Sequence, residues 1–315
     1  MKVIALAGGV GGAKLANGLT KILPAGDLTV IVNTGDDFRY SGLYICPDLD
    51  TVTYTLAGLN NPVTGWGRKD ETWKVNDERE IRGYPSWFHL GDKDLSLHME
   101  RTRLIEEGYS LTEITQYFTK VFQISQNILP MTNSSVRTMV NTKEMGQLGF
   151  QEYFVKHKFQ PQMTSIELDG IHSATLSDEV KAALKSCDLV IICPSNPFVS
   201  IYPIISVPGL QNLLKDKPTL AVSPIIGGKA VKGPAAKMFS ELNMTPTSFN
   251  VAKFYRGLIQ GFVLDHSDEA DINVIDQWGI ISMVTDTLMV DMDMQTKLAK
   301  QVINFGCTLA RGNQA

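Results

Sequence analysis

Six aspartates, Asp36, Asp37, Asp48, Asp50, Asp92 and Asp94, are the strongest candidates for chemistry, because five stand in or beside turns marked by glycine or proline. Carboxylates can share a site with phosphate only across a cation, and hard oxygen donors beside phosphate call for Mg²⁺. Caps and Asx turns account for some of these acids, Asp48 being one candidate. An anion site is the second signal. Gly8-Gly-Val-Gly-Gly-Ala-Lys14 places four glycines within five positions directly after the apolar run of residues 2–7. Gly8, Gly9, Gly11 and Gly12 leave room for backbone N–H groups and the N-terminus of the next helix to close on a phosphate, with Lys14 beside them.

Two familiar loops do not fit. Lys14 stands where a dinucleotide fingerprint needs its third glycine, and Asn33 where it needs a ribose-binding acid, which disfavours an NAD enzyme. The ATPase loop requires Gly-Lys followed by Ser or Thr, whereas Gly12-Ala-Lys14-Leu15 has no hydroxyl for a metal. Two further loops follow buried runs: Pro194-Ser-Asn-Pro197, offering the Ser195 hydroxyl and Asn196 amide, and Ser223-Pro-Ile-Ile-Gly-Gly228, offering Ser223 and Gly227. The second carries Lys229 and Lys232 into Gly233-Pro234, another helix start. His89, His98, His157, His172 and His266 show no metal spacing, though His89 has suggestive neighbours. Trp66, Trp73 and Trp87 either stack on a flat ring or fill a subdomain core.

These groups meet if the strands that precede them lie parallel in one sheet. Residues 2–7, 28–33, 188–193, 219–222, 261–264 and 280–284 read as strands. Helices are expected at about 13–23, 49–57, 71–82, 95–107, 112–122, 178–185, 208–215, 234–242, 269–278 and 291–305, that at 112–122 opened by the capping box Ser110-x-x-Glu113. Short strands are expected at about 136–141 and 165–168, with an irregular stretch between them. The fold class is α/β: a doubly wound, mostly parallel Rossmann-like sheet in a single domain, residues 1–315, with a helical insertion at about 60–130 over the ligand edge.

A net charge of −4 over 315 residues gives no general attraction to nucleic acid or to an anionic membrane. Cys46, Cys187, Cys193 and Cys307 form no Cys-x-x-Cys pair, so reduced thiols are expected rather than disulfides or zinc. No segment reaches eighteen apolar residues, and the reading is a soluble, cytoplasmic protein.

Taken in order, Gly8-Gly-Val-Gly-Gly-Ala-Lys14-Leu, Asn33-Thr-Gly-Asp-Asp37, Ser41-Gly42, Pro47-Asp-Leu-Asp-Thr51, Leu90-Gly-Asp-Lys-Asp94, Ile128-Leu-Pro-Met131, Pro194-Ser-Asn-Pro197, Ser223-Pro-Ile-Ile-Gly227 and Gly233-Pro-Ala235 resemble the 2-phospho-L-lactate transferases of coenzyme F420 biosynthesis, the CofD family. The resemblance implies transfer of a phospholactyl-type group from a guanosine-diphosphate-activated donor to the terminal hydroxyl of a hydroxy-deazariboflavin, with Mg²⁺ and release of GMP. It places Asp50 at the acceptor hydroxyl, at the metal, or at both, and implies a homodimer; Asp37 of the acidic set is a further candidate metal ligand. Members often carry lysine before the leucine of Leu90-Gly-Asp; here that residue is His89, able to hydrogen-bond the acceptor while neutral. A sister group of similar fold, resembling nucleotide-sugar-binding regulators without transferase activity, is the alternative. Donors bearing phospholactate, phosphoenolpyruvate or phosphoglycerate all remain open.

Overall fold

The computed structural model describes residues 1–231 and 233–312, so Lys232 lies outside the described residues. Its seven central strands are β1 (Val3–Ala7), β2 (Leu28–Val32), β3 (Asn127–Pro130), β4 (Leu189–Ile192), β5 (Thr219–Val222), β6 (Gly261–Leu264) and β7 (Ile281–Val284). They pair in the order β7-β6-β5-β4-β1-β2-β3, every pair parallel. Strands β1, β4, β5 and β6 are buried along their whole length, which is why their sequences are continuous apolar runs without alternation. The doubly wound sheet is as expected. The edge strand β3 is an addition, a four-residue segment ending in proline that edge pairing tolerates.

One face is covered by α1 (Val10–Thr20) and the helix Met292–Gly312, which pack Ala13, Leu15, Ala16, Leu298 and Val302 on Val3, Ala5 and Ala7. The other face packs Phe198, Val199 and Ile201 against Ile4 and Leu6. The chain therefore leaves β1 and β4 toward opposite faces, and a crevice must open between their carboxyl ends. Helix α1 starts three residues earlier than the glycine pattern suggests. Gly11 and Gly12 lie within the helix, and no larger residue fits there because their Cβ positions would lie 2.3 Å from the Pro194 carbonyl and 2.4 Å from Ser195 Oγ. Gly18, farther along, lets the helix Met292–Gly312 approach so closely that a Cβ would fall 2.2 Å from the Gln295 carbonyl.

Between β2 and β3 come a hairpin (Phe38–Tyr40 with Leu43–Ile45), α2 (Pro47–Leu56), α3 (Lys74–Ile81), α4 (Asp92–Glu106) and α5 (Leu111–Val121). The capping box of α5 is formed, Ser110 accepting from the Glu113 N–H and Glu113 from the Ser110 N–H. Between β3 and β4 lies a three-stranded antiparallel sheet, Gly146–Gly149, Arg137–Thr142 and Met163–Asp169, with a π-helical turn at Glu152–Lys156 in the irregular stretch. The helix expected at 269–278 is split into a 3-10 segment, His266–Asp271, and Ile272–Asp276, while a helix not read from sequence covers Ser248–Phe254.

Gly8 is tightly enclosed, since a Cβ there would meet Ser200 Cβ at 2.3 Å and Asp48 Oδ2 at 2.8 Å. Gly8→Ala is expected to lower the unfolding free energy by about 1–3 kcal/mol, the usual cost of overpacking, in a denaturation measurement on the ligand-free protein.

Candidate active site

The carboxyl ends of β1, β2, β4, β5 and β7 and the insertion enclose a cleft of about 1000 Å³. Gly9, Gly11, Lys14, Asp50, His89, Ser195, Asn196 and Ser223 are on its wall. Gly8 and Gly12 are not; the Gly8 N–H donates to Ser195 Oγ at 3.0 Å, so both glycines hold the loops together. Gly227 sits in an exposed hairpin turn at φ +55° with its N–H donating to Asp268, and forms no part of the wall. Lys229 occupies the same exposed hairpin. The side chains of Asn196 and Ser223 serve the backbone: Asn196 caps the π-helical turn Pro197–Ile201 through the Phe198 N–H, and Ser223 Oγ bonds Ser248 Oγ and the Ile225 carbonyl.

Helix α1 is capped by Gly9 without a side-chain acceptor, so its first-turn N–H groups face the cleft mouth with the positive end of the helix dipole. Lys14 anchors the same helix, its ammonium donating to the Met289 carbonyl at 2.7 Å. Beside that helix start stand acids. Asn33, at the end of β2, donates through its amide to Asp36 Oδ1 at 2.5 Å, to Asp48 Oδ2 at 2.9 Å and to the Val199 carbonyl at 3.1 Å. Gln151 donates to the other oxygen of Asp36 at 3.0 Å, and the Gly9 backbone bonds Asp48. Burial, then the charges of Asp48 and Asp37, push the Asp36 carboxyl well up; burial raises Asp48 to about 6 against the lowering effect of Asn33 and Gly9. Asp37 is also pushed well up by burial, against the lowering effect of a hydrogen bond from the Cys46 thiol and of the Arg101 charge. Asp37 lies behind the wall.

Asp50 belongs to a second network that the sequence did not disclose. Arg101 of α4, fully buried, binds both its oxygens, Nη2 to Oδ1 and Nη1 to Oδ2 at 3.1 Å. His98 Nδ1 lies 3.2 Å from Arg101 Nη1 and so serves as an acceptor, which leaves the proton on Nε2, 3.5 Å from Asp94 Oδ2. The Tyr54 hydroxyl donates to Asp94 Oδ1 at 2.5 Å. Burial raises the Asp50 carboxyl despite Arg101 and His98; at Asp94 burial is outweighed by His98 and Tyr54, and its carboxyl is lowered. Asp50 is thus a clamped carboxylate. His98 and Arg101 sit four and seven residues after Asp94 on one face of α4, the spacing that could have revealed them. Asp92 caps α3 instead, accepting from Thr72, Lys74 and Val75. His89 is exposed at the lip beside Trp73, their ring centroids 6.1 Å apart. Burial raises the Cys46 and Cys193 thiols, which favours their neutral form.

Residues 3–304 match the family model "2-phospho-L-lactate transferase CofD". The chain belongs to the CofD family. A 2-phospho-L-lactate transferase of Methanococcoides burtonii is 38% identical over 303 residues, covering 96% of this chain and 99% of that protein. A phosphoenolpyruvate transferase of Streptomyces griseus is 37% identical over 312 residues, covering 97% and 98%. The chain is an enzyme of the transferase class. A solved Bacillus halodurans structure has a TM-score of 0.65 at 14% identity, with 96% and 99% of the two chains covered, and supports the fold alone. Among the described residues no helix is long and apolar enough to cross a membrane.

The raised Asp48 carboxyl sets a pH dependence. Its folded value of about 6 exceeds the ordinary 3.8, so the group contributes stability that is full below about 3.8 and lost as pH rises through about 6. In metal-free protein, Asp48→Asn should therefore reduce the excess of Tm at about pH 5 over that at about pH 7.5, measured by calorimetry. An unaltered difference would mean that Asp48 titrates at an ordinary carboxylate pKa.

Proposed function

We propose that this enzyme transfers a phospholactyl-type group from a guanosine diphosphate ester, lactyl-2-diphospho-5'-guanosine or its enolpyruvyl analogue, to the terminal hydroxyl of 7,8-didemethyl-8-hydroxy-5-deazariboflavin in coenzyme F420 biosynthesis. The acceptor oxygen forms a bond to the phosphorus bearing the lactyl group, the bond from that phosphorus to GMP breaks, and the hydroxyl proton is lost. The observation that carries this reading is that the N-terminus of α1, without a side-chain cap of its own, meets the buried Asp36–Asn33–Asp48 cluster on the wall of one cleft, Asp48 bonding the Gly9 backbone. N–H groups and carboxylates side by side suit a diphosphate with a bound cation, and family membership supplies the substrate class.

Mg²⁺ fits these residues. Asp36 and Asp48 would hold it, with Asp37 buried behind them, and bound metal would neutralise charge on the diphosphate. Among the described residues no three acidic or histidine side chains converge as a ready cage. That suits a cation which keeps waters and shares substrate oxygens. The α1 N-terminus and Lys14 hold the diphosphate, while Asp50, fixed by Arg101, accepts a hydrogen bond from the acceptor hydroxyl and aligns it for attack. His89 and Trp66 line the acceptor end. A non-catalytic regulator is disfavoured, since the matched relatives carry transferase names over nearly their full length.

Asp50→Asn is expected to lower kcat by about 10²- to 10⁴-fold, with no recovery on raising Mg²⁺. It should also destabilise the fold by about 3–5 kcal/mol, because Arg101 keeps a buried charge without its partner. Turnover must therefore be measured well below the variant's own Tm; near wild-type kcat there would remove Asp50 from the mechanism. The reaction itself is tested by mass spectrometry of mixtures containing the deazaflavin and guanosine diphosphate esters of lactate, enolpyruvate or glycerate. A phosphodiester of the acceptor together with GMP, abolished by chelation, is expected from at least one donor. No product from any of the three would sink the proposal.

A further inference from the structure

The stretch too irregular to assign from sequence builds part of the cleft wall. Phe150, Phe154 and Phe159 stack as a ladder, the first pair with centroids 5.6 Å apart and planes 2° from parallel, the second 5.7 Å apart and 20° from parallel. The π-helical turn at Glu152–Lys156 and the reversal that follows it bring the third ring onto the stack. The His157 N–H bonds the Glu152 carbonyl at 2.9 Å, five residues back, and the Phe159 N–H reaches the Tyr153 carbonyl at 2.8 Å. Lys158 and Phe159 both adopt left-handed conformations, φ +49° and +44°, which side-chain-bearing residues resist. All three rings line the cleft, and the outermost, Phe159, is 36% exposed. A strained turn thus holds an open aromatic face at the end of a parallel stack.

We propose that this ladder is the stacking wall for the planar tricyclic ring of the acceptor, with Phe159 as its contact face. Its position decides between the two flat rings that the proposed reaction would bring. Gln151, within the ladder, donates to Asp36 of the acid cluster, and the Lys156 ammonium lies 5.9 Å from the centre of the Trp87 ring, two residues before His89. The ladder therefore bridges the acid cluster and the insertion, the end to which Asp50 and His89 belong. The loops after β5 and β7 form the other end and are left to the nucleotide. A ring placed on Phe159 continues the stack and covers apolar surface that is otherwise open to water.

This inference rests on the acceptor named under Proposed function, and direct binding separates the two. Affinities of wild type, Phe159→Ala, Phe159→Leu and Phe159→Trp are measured for the hydroxy-deazariboflavin by its own fluorescence and for GDP by calorimetry. Loss of the flat face in the alanine and leucine variants is expected to weaken acceptor binding about 3- to 10-fold, tryptophan to restore it, and GDP affinity to stay constant. Unchanged acceptor affinity in both the alanine and leucine variants, or a loss of GDP affinity in its place, overturns the assignment of the ladder. Wild type that binds GDP but no deazaflavin overturns the acceptor reading itself.

Discussion

A single carboxamide holds the acid side of the cleft together. Asn33 ends β2 inside the protein, where its N–H groups face two carboxylates and a carbonyl and its own oxygen accepts from the Gly35 N–H. An acid at this position would put a third negative charge beside Asp36 and Asp48; an alanine would leave them without a shared donor. Because Asp48 also bonds the Gly9 backbone, this one amide ties the end of β2 to the start of α2 and the glycine loop after β1. The glycine loop and the acid cluster are thereby fixed relative to each other before any ligand arrives, which is what electrostatic preorganisation requires.

The second clamp works differently. Asp50 is matched to Arg101 in the core, and His98 and Asp94 extend the pair to Tyr54. Burying a charge pair brings little net stability, but breaking one is costly, so such a pair is most useful as a positional lock. Here the lock joins α2, rooted on the sheet, to α4 of the insertion. The insertion carries the lip residues His89 and Trp66, so their place over the cleft depends on a contact made well below them.

Much of this was legible in the chain. The buried parallel strands announce themselves as short apolar runs, and β5 and β6 fall on the residues expected from sequence. Gly9, Gly11, Lys14 and Asp50 were nameable because turn glycines and loop acids leave local marks. Arg101 and His98 left only their helical spacing from Asp94 as a mark, since a cation on a helix reads as solvated surface until its partner from another helix is placed. Asn33 read as the lack of a ribose acid, and its role emerges only when Asp48, fifteen residues on, folds back to it. Gly8 and Gly12 were read as ligand-facing, yet protein neighbours explain them. Sequence shows that a side chain is missing but not which neighbour requires the space. The π-helical turn escaped because its five-residue spacing matches neither of the periods by which helices and strands are recognised.

The packing of α1 against the helix Met292–Gly312 has a consequence for how the protein is made. The glycine loop and α1 are translated long before Gln295, against which Gly18 and Asn17 are seated. Until the helix Met292–Gly312 has been made, the apolar side of α1 has no cover and the glycine loop no fixed direction. The order of synthesis therefore delays completion of the β1–α1 junction until that distant helix folds onto it.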